Sequence, residues 1–168
     1  VETKTNWKDW YHQLVHTFIT NSPSPYISVC SFLCQELFSS AENIFNPAFL
    51  SVWLFLTAET RQSISEGITH AFLGDTLPSS ICKRLISLVE FLERNECGMN
   101  IPMDILCVSC EKCHQFSNEF SFASQWFLKD PENIKVTENL IKIASYFGQT
   151  KMKNGLVKLA DTRIGSAN

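Results

Sequence analysis

The sequence predicts an all-α fold: an α-solenoid of antiparallel helical hairpins, HEAT- or TPR-like, with about eight helices. Three observations predict it. Every long segment spaces its apolar residues by three and four, and none sustains the alternation of a strand. The segments are joined by short loops carrying Pro, Gly or Asn, which makes sequential neighbours run antiparallel. Each segment has an apolar face but no single centre in which to bury it, and stacked hairpins solve that problem because every pair covers the next. A closed bundle is the alternative that the same pattern leaves open.

The first helix is predicted over 6–20, capped by Thr5 or Asn6, whose short side-chain oxygen can accept from a free amide of the first turn. Trp7, Trp10, Tyr11, Leu14, Val15 and Phe18 form its stripe. Pro23 and Pro25 end it. A second helix over 26–38 carries Ile27, Cys30, Phe32, Leu33, Cys34 and Leu37, apolar over much of its circumference, so it is expected to pack on more than one side. The third opens at Asn46-Pro47, with Asn as cap and Pro at the first helical position, and carries Phe49, Leu50, Trp53, Leu54 and Leu56. The fourth is capped by Thr57 or Thr60, runs through Ile64, Ile68 and Phe72, and closes at Gly74. The fifth starts at Thr76-Leu77-Pro78-Ser79 and reaches Arg94 with Ile81, Leu85, Leu88, Val89 and Leu92 inward. The sixth spans 104–128 with a break near 116–118. The seventh spans 132–147 and ends at Gly148; the eighth covers 151–161, ahead of a polar, frayed tail over 162–168.

Composition removes several function classes. Among 168 residues, 45% are hydrophobic and 18% charged, enough apolar matter for a core and too much for a disordered chain. Fourteen basic residues face 17 acidic ones with no cluster of either sign, which argues against nucleic acid. The longest apolar run, 49–57, is far short of a bilayer span, so no direct membrane insertion is expected. The polar start and missing Met suggest a segment excised from a longer protein without a signal peptide.

Seven cysteines, an odd number, point to free thiols in a reducing compartment. Cys107, Cys110, Cys113 and His114 are the sharpest local signal, because Cys-x-x-Cys-His matches a c-type haem attachment pattern and half a zinc site. Their spacing of three, three and one also places them on one helix face, and the expected role is packing, with zinc the lesser reading. Cys30 and Cys34, four apart, are read the same way. His12 and His16 lack the glutamate of a metalloprotease helix between them. No phosphate loop, nucleophile elbow or kinase catalytic loop is present, and Glu90 and Glu93 are expected on a solvated face. The residues single out no catalytic group and no cofactor. The expected structural core is Trp7, Trp10, Phe49, Trp53, Leu85, Leu88 and Phe91.

Several blocks stand in a fixed order: Thr3-Lys4 followed by Trp7 and Trp10, then Ser22-Pro23-Ser24-Pro25 and Cys30, then Phe45-Asn46-Pro47-Ala48-Phe49-Leu50-Ser51-Val52-Trp53. Leu85 to Glu93, the Pro102 loop, Lys112-Cys113 and 135–145 follow. In order and spacing these blocks resemble the target-of-rapamycin (TOR) protein kinases. The resemblance implies a non-catalytic, cytoplasmic scaffold at the junction of HEAT-type repeats and the FAT array. Residues 1–100 would be the last HEAT-like hairpins and 101–168 the start of the TPR-like array. The kinase domain would lie downstream, and the partners would be the rest of the TOR chain and subunits of the TOR complex. Phe116, Phe120 and Phe122 depart from the family, which places small residues around that hairpin. An unrelated helical-repeat adaptor that binds a protein partner is the competing reading.

Overall fold

The computed structural model describes residues 6–166, and among them there is no strand. The chain divides into two compact units, Val1–Asn100 and Ile101–Asn168. The first contains α1 (Trp7–Thr20), α2 (Pro25–Ser28), a 3-10 turn (Val29–Phe32), α3 (Leu33–Glu36), α4 (Phe38–Trp53), α5 (Ala58–Leu73) and α6 (Ser79–Arg94). The second contains α7 (Met103–Lys112), α8 (Phe116–Lys129), α9 (Ile134–Tyr146) and α10 (Thr150–Ser166).

An aromatic ladder organises the first unit. Tyr11 meets the edge of Phe45 at 5.9 Å, and Phe18 stacks on Phe49 at 4.1 Å. Phe49 in turn stacks on Trp53 at 5.5 Å. Ascending residues on α1 therefore meet ascending residues on α4, so these two helices run parallel. Helices α4 and α6 also run parallel, because Glu42 pairs with Arg84 and, one turn on, the Asn46 amide donates to the Ser87 hydroxyl. Between them α5 returns. Arg61 near its start donates through Nε to the Trp53 carbonyl at 2.9 Å and through Nη2 to that of Leu54 at 3.1 Å, closing the open end of α4. At its far end the Trp7 indole donates to the Thr76 hydroxyl at 2.9 Å. Gly74 caps α5 without a left-handed angle. Glycine is needed there for closeness, since a Cβ would lie 2.9 Å from the Trp7 ring.

Three expectations about this unit are corrected. Helix α4 does not start at Asn46-Pro47; it begins eight residues earlier, and Pro47 lies inside it. Proline there removes one donor to the Asn43 carbonyl. The helix continues because Ala41, Phe45, Ala48, Phe49 and Trp53 form one buried face across the proline. The single helix expected over 26–38 is instead three short pieces, and Tyr26, Val29, Phe32 and Leu37 are largely exposed rather than packed on several sides. Serines and β-branched residues give this stretch weak helical preference, and Leu37 leaves helical angles altogether at φ −140°. Of the expected core, Phe49, Trp53, Leu85 and Leu88 are buried, whereas Trp7, Trp10 and Phe91 are only half-buried. The two tryptophans sit in the first turn of α1 and pack edge to face on each other at 5.7 Å.

The caps are settled where the sequence left choices. Asn6 accepts from the Asp9 amide, and Thr57, not Thr60, caps α5. Thr5 and the Thr3-Lys4 pair lie outside the described residues, as do 167 and 168 of the expected tail. Helix α6 starts after Pro78 and ends at Arg94. Helix α10 runs on to Ser166, past the end expected at 161.

In the second unit the helices follow one another in alternating directions. Phe116 at the start of α8 stacks on Tyr146 at the end of α9 at 4.7 Å. Lys142 late in α9 pairs with Glu111 at the end of α7. The break in the long segment falls at 113–115, slightly before the expected 116–118. A C-terminal motif sets it: His114 takes φ 57°, the Gln115 amide bonds back to the Cys110 carbonyl at 2.8 Å, and the His114 amide to that of Glu111. The same motif closes α6 with Glu96 at φ 57° and α9 with Gly148 at φ 65°. Only the last uses the residue that this backbone favours. Replacing Glu96 or His114 with glycine is expected to raise stability by roughly 1 kcal/mol, and Gly148→Ala to lower it by about as much. Urea denaturation midpoints at unchanged slope check both signs.

Candidate functional site

The cysteine helix ends one residue before its third thiol. Cys107 and Cys110 lie on the buried face of α7, and Cys113 is its C-cap residue, also buried. His114 follows in the left-handed position and is exposed, so the structure separates it from the three thiols. Among the described residues no group of three or more His, Cys, Asp or Glu side chains is placed to hold a metal ion. Burial pushes the Cys107 thiol up to about 12, reinforced by the nearby Glu119 and Asp104 carboxylates and partly offset by a hydrogen bond with Asn139. A thiol held protonated in this way is a poor nucleophile and a poor ligand. Its physical role is that of a small apolar side chain between helices.

The other candidates also disperse. Cys30 and Cys34 are half-buried free thiols; burial raises the pKa of Cys34, and the Cys30 sulfur donates to the Tyr26 carbonyl. His12 stacks on Phe38 at 3.7 Å, which fixes its ring against α4 rather than towards His16. Glu90 and Glu93 are half-buried rather than fully solvated, and Glu90 pairs with Arg94 one turn on. Among the seven thiols, Cys30, Cys34 and Cys97 are half-buried while Cys82, Cys107, Cys110 and Cys113 are buried. A chromogenic disulfide reagent is therefore expected to titrate the first three in a fast phase and the remaining four only on unfolding.

Sequence reasoning missed Glu119. Its place on α8 follows the same spacing as Phe122 and Ala123, yet in the linear sequence a glutamate reads as solvent-facing. It is 1% exposed, and its Oε2 has no hydrogen-bond partner. Burial, with a smaller contribution from Glu111, pushes this carboxyl up to about 7, against a partial pull from Lys142. Tyr11 is the corresponding buried polar group of the first unit. Its hydroxyl lacks a partner, and burial followed by the Glu42 carboxylate holds the phenol well above its ordinary value. The one thiol that Glu119 faces, Cys107, is buried and held protonated, so the pair does not make an activated nucleophile with its base.

Helices packed through apolar and aromatic faces, with thiols used as packing, define a class: the all-α helical-hairpin protein. Among the described residues no helix is long and apolar enough to cross a membrane. Known proteins place it more closely. No protein-family model matches the chain. The serine/threonine-protein kinase TOR2 of Saccharomyces cerevisiae is 30% identical to it over 159 residues, 95% of this chain and 6% of that protein. Kinase tor1 of Schizosaccharomyces pombe is 25% identical over 93% of the chain, and kinase TOR of Arabidopsis thaliana 25% identical over 96%. The chain is homologous to one segment of the TOR serine/threonine kinases, a segment outside their kinase domain. It spans only 6 to 7% of the length of these relatives.

Proposed function

We propose that the chain is a non-catalytic helical scaffold segment of a TOR-type, phosphatidylinositol-3-kinase-related Ser/Thr protein kinase. In this reading it sits in the cytoplasm, supports the kinase domain and complex subunits, and serves growth and nutrient signalling. Residues 1–100 are its last HEAT-like hairpins and 101–168 the opening of the FAT array. The observation that carries the proposal is the alignment over more than nine-tenths of this chain with one short stretch of very long kinases. The division into two units at Asn100 and Ile101 supports the assignment of two repeat types.

The physical role follows from packing. A close-packed helical unit is only slightly compliant, so a displacement at one helix is carried to its neighbours. Such a segment needs no reacting group; it needs its helices held in register. The coding sequence downstream of residue 168 tests the proposal. A TOR-type kinase domain is expected there. A stop codon or an unrelated domain in its place would overturn the proposal and leave a helical-repeat adaptor as the better account.

A further inference from the structure

Glu119 is a buried polar group of the second unit that the scaffold reading leaves unused. Its carboxyl lies on the face of α8 that also buries Phe122 and Ala123, and its Oε2 is buried without a partner. From α7 it is faced by the Cys107 thiol and the Glu111 carboxylate. From α9 it is faced by Lys142, whose ammonium is already bonded to Glu111. An ionised Glu119 would thus be a buried charge beside a like charge, with the nearby cation committed elsewhere, an arrangement the fold tolerates only while the carboxyl keeps its proton.

We propose that the proton on Glu119 holds α8 against α7 and α9, so that the second unit is closed in mild acid and loosens as that proton leaves. The loosening needs no new partner. Ionisation favours any arrangement in which α8 gives the carboxylate access to water, or in which Lys142 leaves Glu111 for Glu119. The sign follows from where the group titrates. The carboxyl is raised from 4.5 to about 7 in the folded chain, so the closed unit binds the extra proton between those values. The contribution to stability is complete below about 4.5, falls through the interval, and is gone above about 7. The environment that raises the carboxyl is geometric: full burial, an orphaned oxygen, and a carboxylate neighbour at the end of α7.

Amide hydrogen exchange of the whole chain, normalised for intrinsic rates, tests this at pH 5 and pH 8. Protection of the α8 amides is expected to fall by about tenfold or more between the two, equivalent to at least one unit of differential proton affinity, while α4 changes far less. Glu119→Gln should leave α8 protection flat across that range. Glu111→Gln, which removes the like charge and frees Lys142, should move the loss to lower pH and shrink it. Equal pH dependence in Glu119→Gln and the unaltered chain would overturn the proposal. Should Glu119→Gln fail to fold, a carbon-13 titration of the unaltered chain still decides. A Glu119 carboxyl midpoint near 7 supports the switch, and one near 4.5 ends it.

Discussion

Trp53→Ala is expected to cost the first unit about 3–5 kcal/mol, a large part of the stability of an ordinary domain. The ring is 3% exposed and completes the aromatic ladder of α4 by stacking on Phe49. The Arg61 guanidinium lies over its face at 5.7 Å while the same side chain closes the helix end. Truncation therefore leaves a cavity the width of an indole, removes the cation–π contact and loosens the platform under Arg61. Trp53→Phe keeps an aromatic ring at the end of the ladder and should cost markedly less. Urea denaturation of the whole chain, followed by helical circular dichroism, measures both. A midpoint for Trp53→Ala within 1 kcal/mol equivalent of the unaltered chain would contradict the packing described for α4.

Phe122→Ala is expected to cost the second unit a similar amount, about 3–5 kcal/mol. Phe122 is 1% exposed at the centre of α8. Phe120, two residues earlier, is 38% exposed, and its truncation should stay within about 1 kcal/mol. Phe116 is intermediate: half-buried and stacked on Tyr146, it should lose a few tenths to about 1.5 kcal/mol beyond its area. The contrast between 120 and 122 is the sharper test, because the two substitutions are chemically identical. Equal effects would mean that α8 is rotated from the orientation described.

These phenylalanines also show what could be read in advance. The family resemblance marks all three as departures from small residues, and nothing in their type separates the one in the core from the one in water. Helical phase does separate them: Glu119, Phe122 and Ala123 share a face, and 120 lies off it. Strong periodicity made most long helices legible, above all α6, whose expected stripe of Ile81, Leu85, Leu88, Val89 and Leu92 is buried throughout. Local signals failed where tertiary packing overrode them. Asn46-Pro47 has the form of a helix start, but the buried face of Ala41 and Phe45 upstream carries α4 through it. The apolar stretch 26–38 reads as a deeply packed helix, yet Tyr26 and Phe32 face outward, since hydrophobic residues alone do not say how many neighbours a segment has.

The candidate sites were legible as chemistry and not as geometry. Cysteines at 107, 110 and 113 fit both a helix face and a ligand set, and only the placement of His114 beyond the C-cap separates the two. Glu119 was invisible for the opposite reason: its residue type predicts exposure, and its burial follows from register alone.

Metal content and thermal melting, measured on one preparation of the chain with and without a chelator, test most directly that side-chain packing, without a metal ion, holds these helices together. The expected result is a helical spectrum, zinc far below one equivalent, and the same Tm in both samples. One equivalent of zinc, lost together with several degrees of Tm on chelation or in Cys110→Ser, would contradict it.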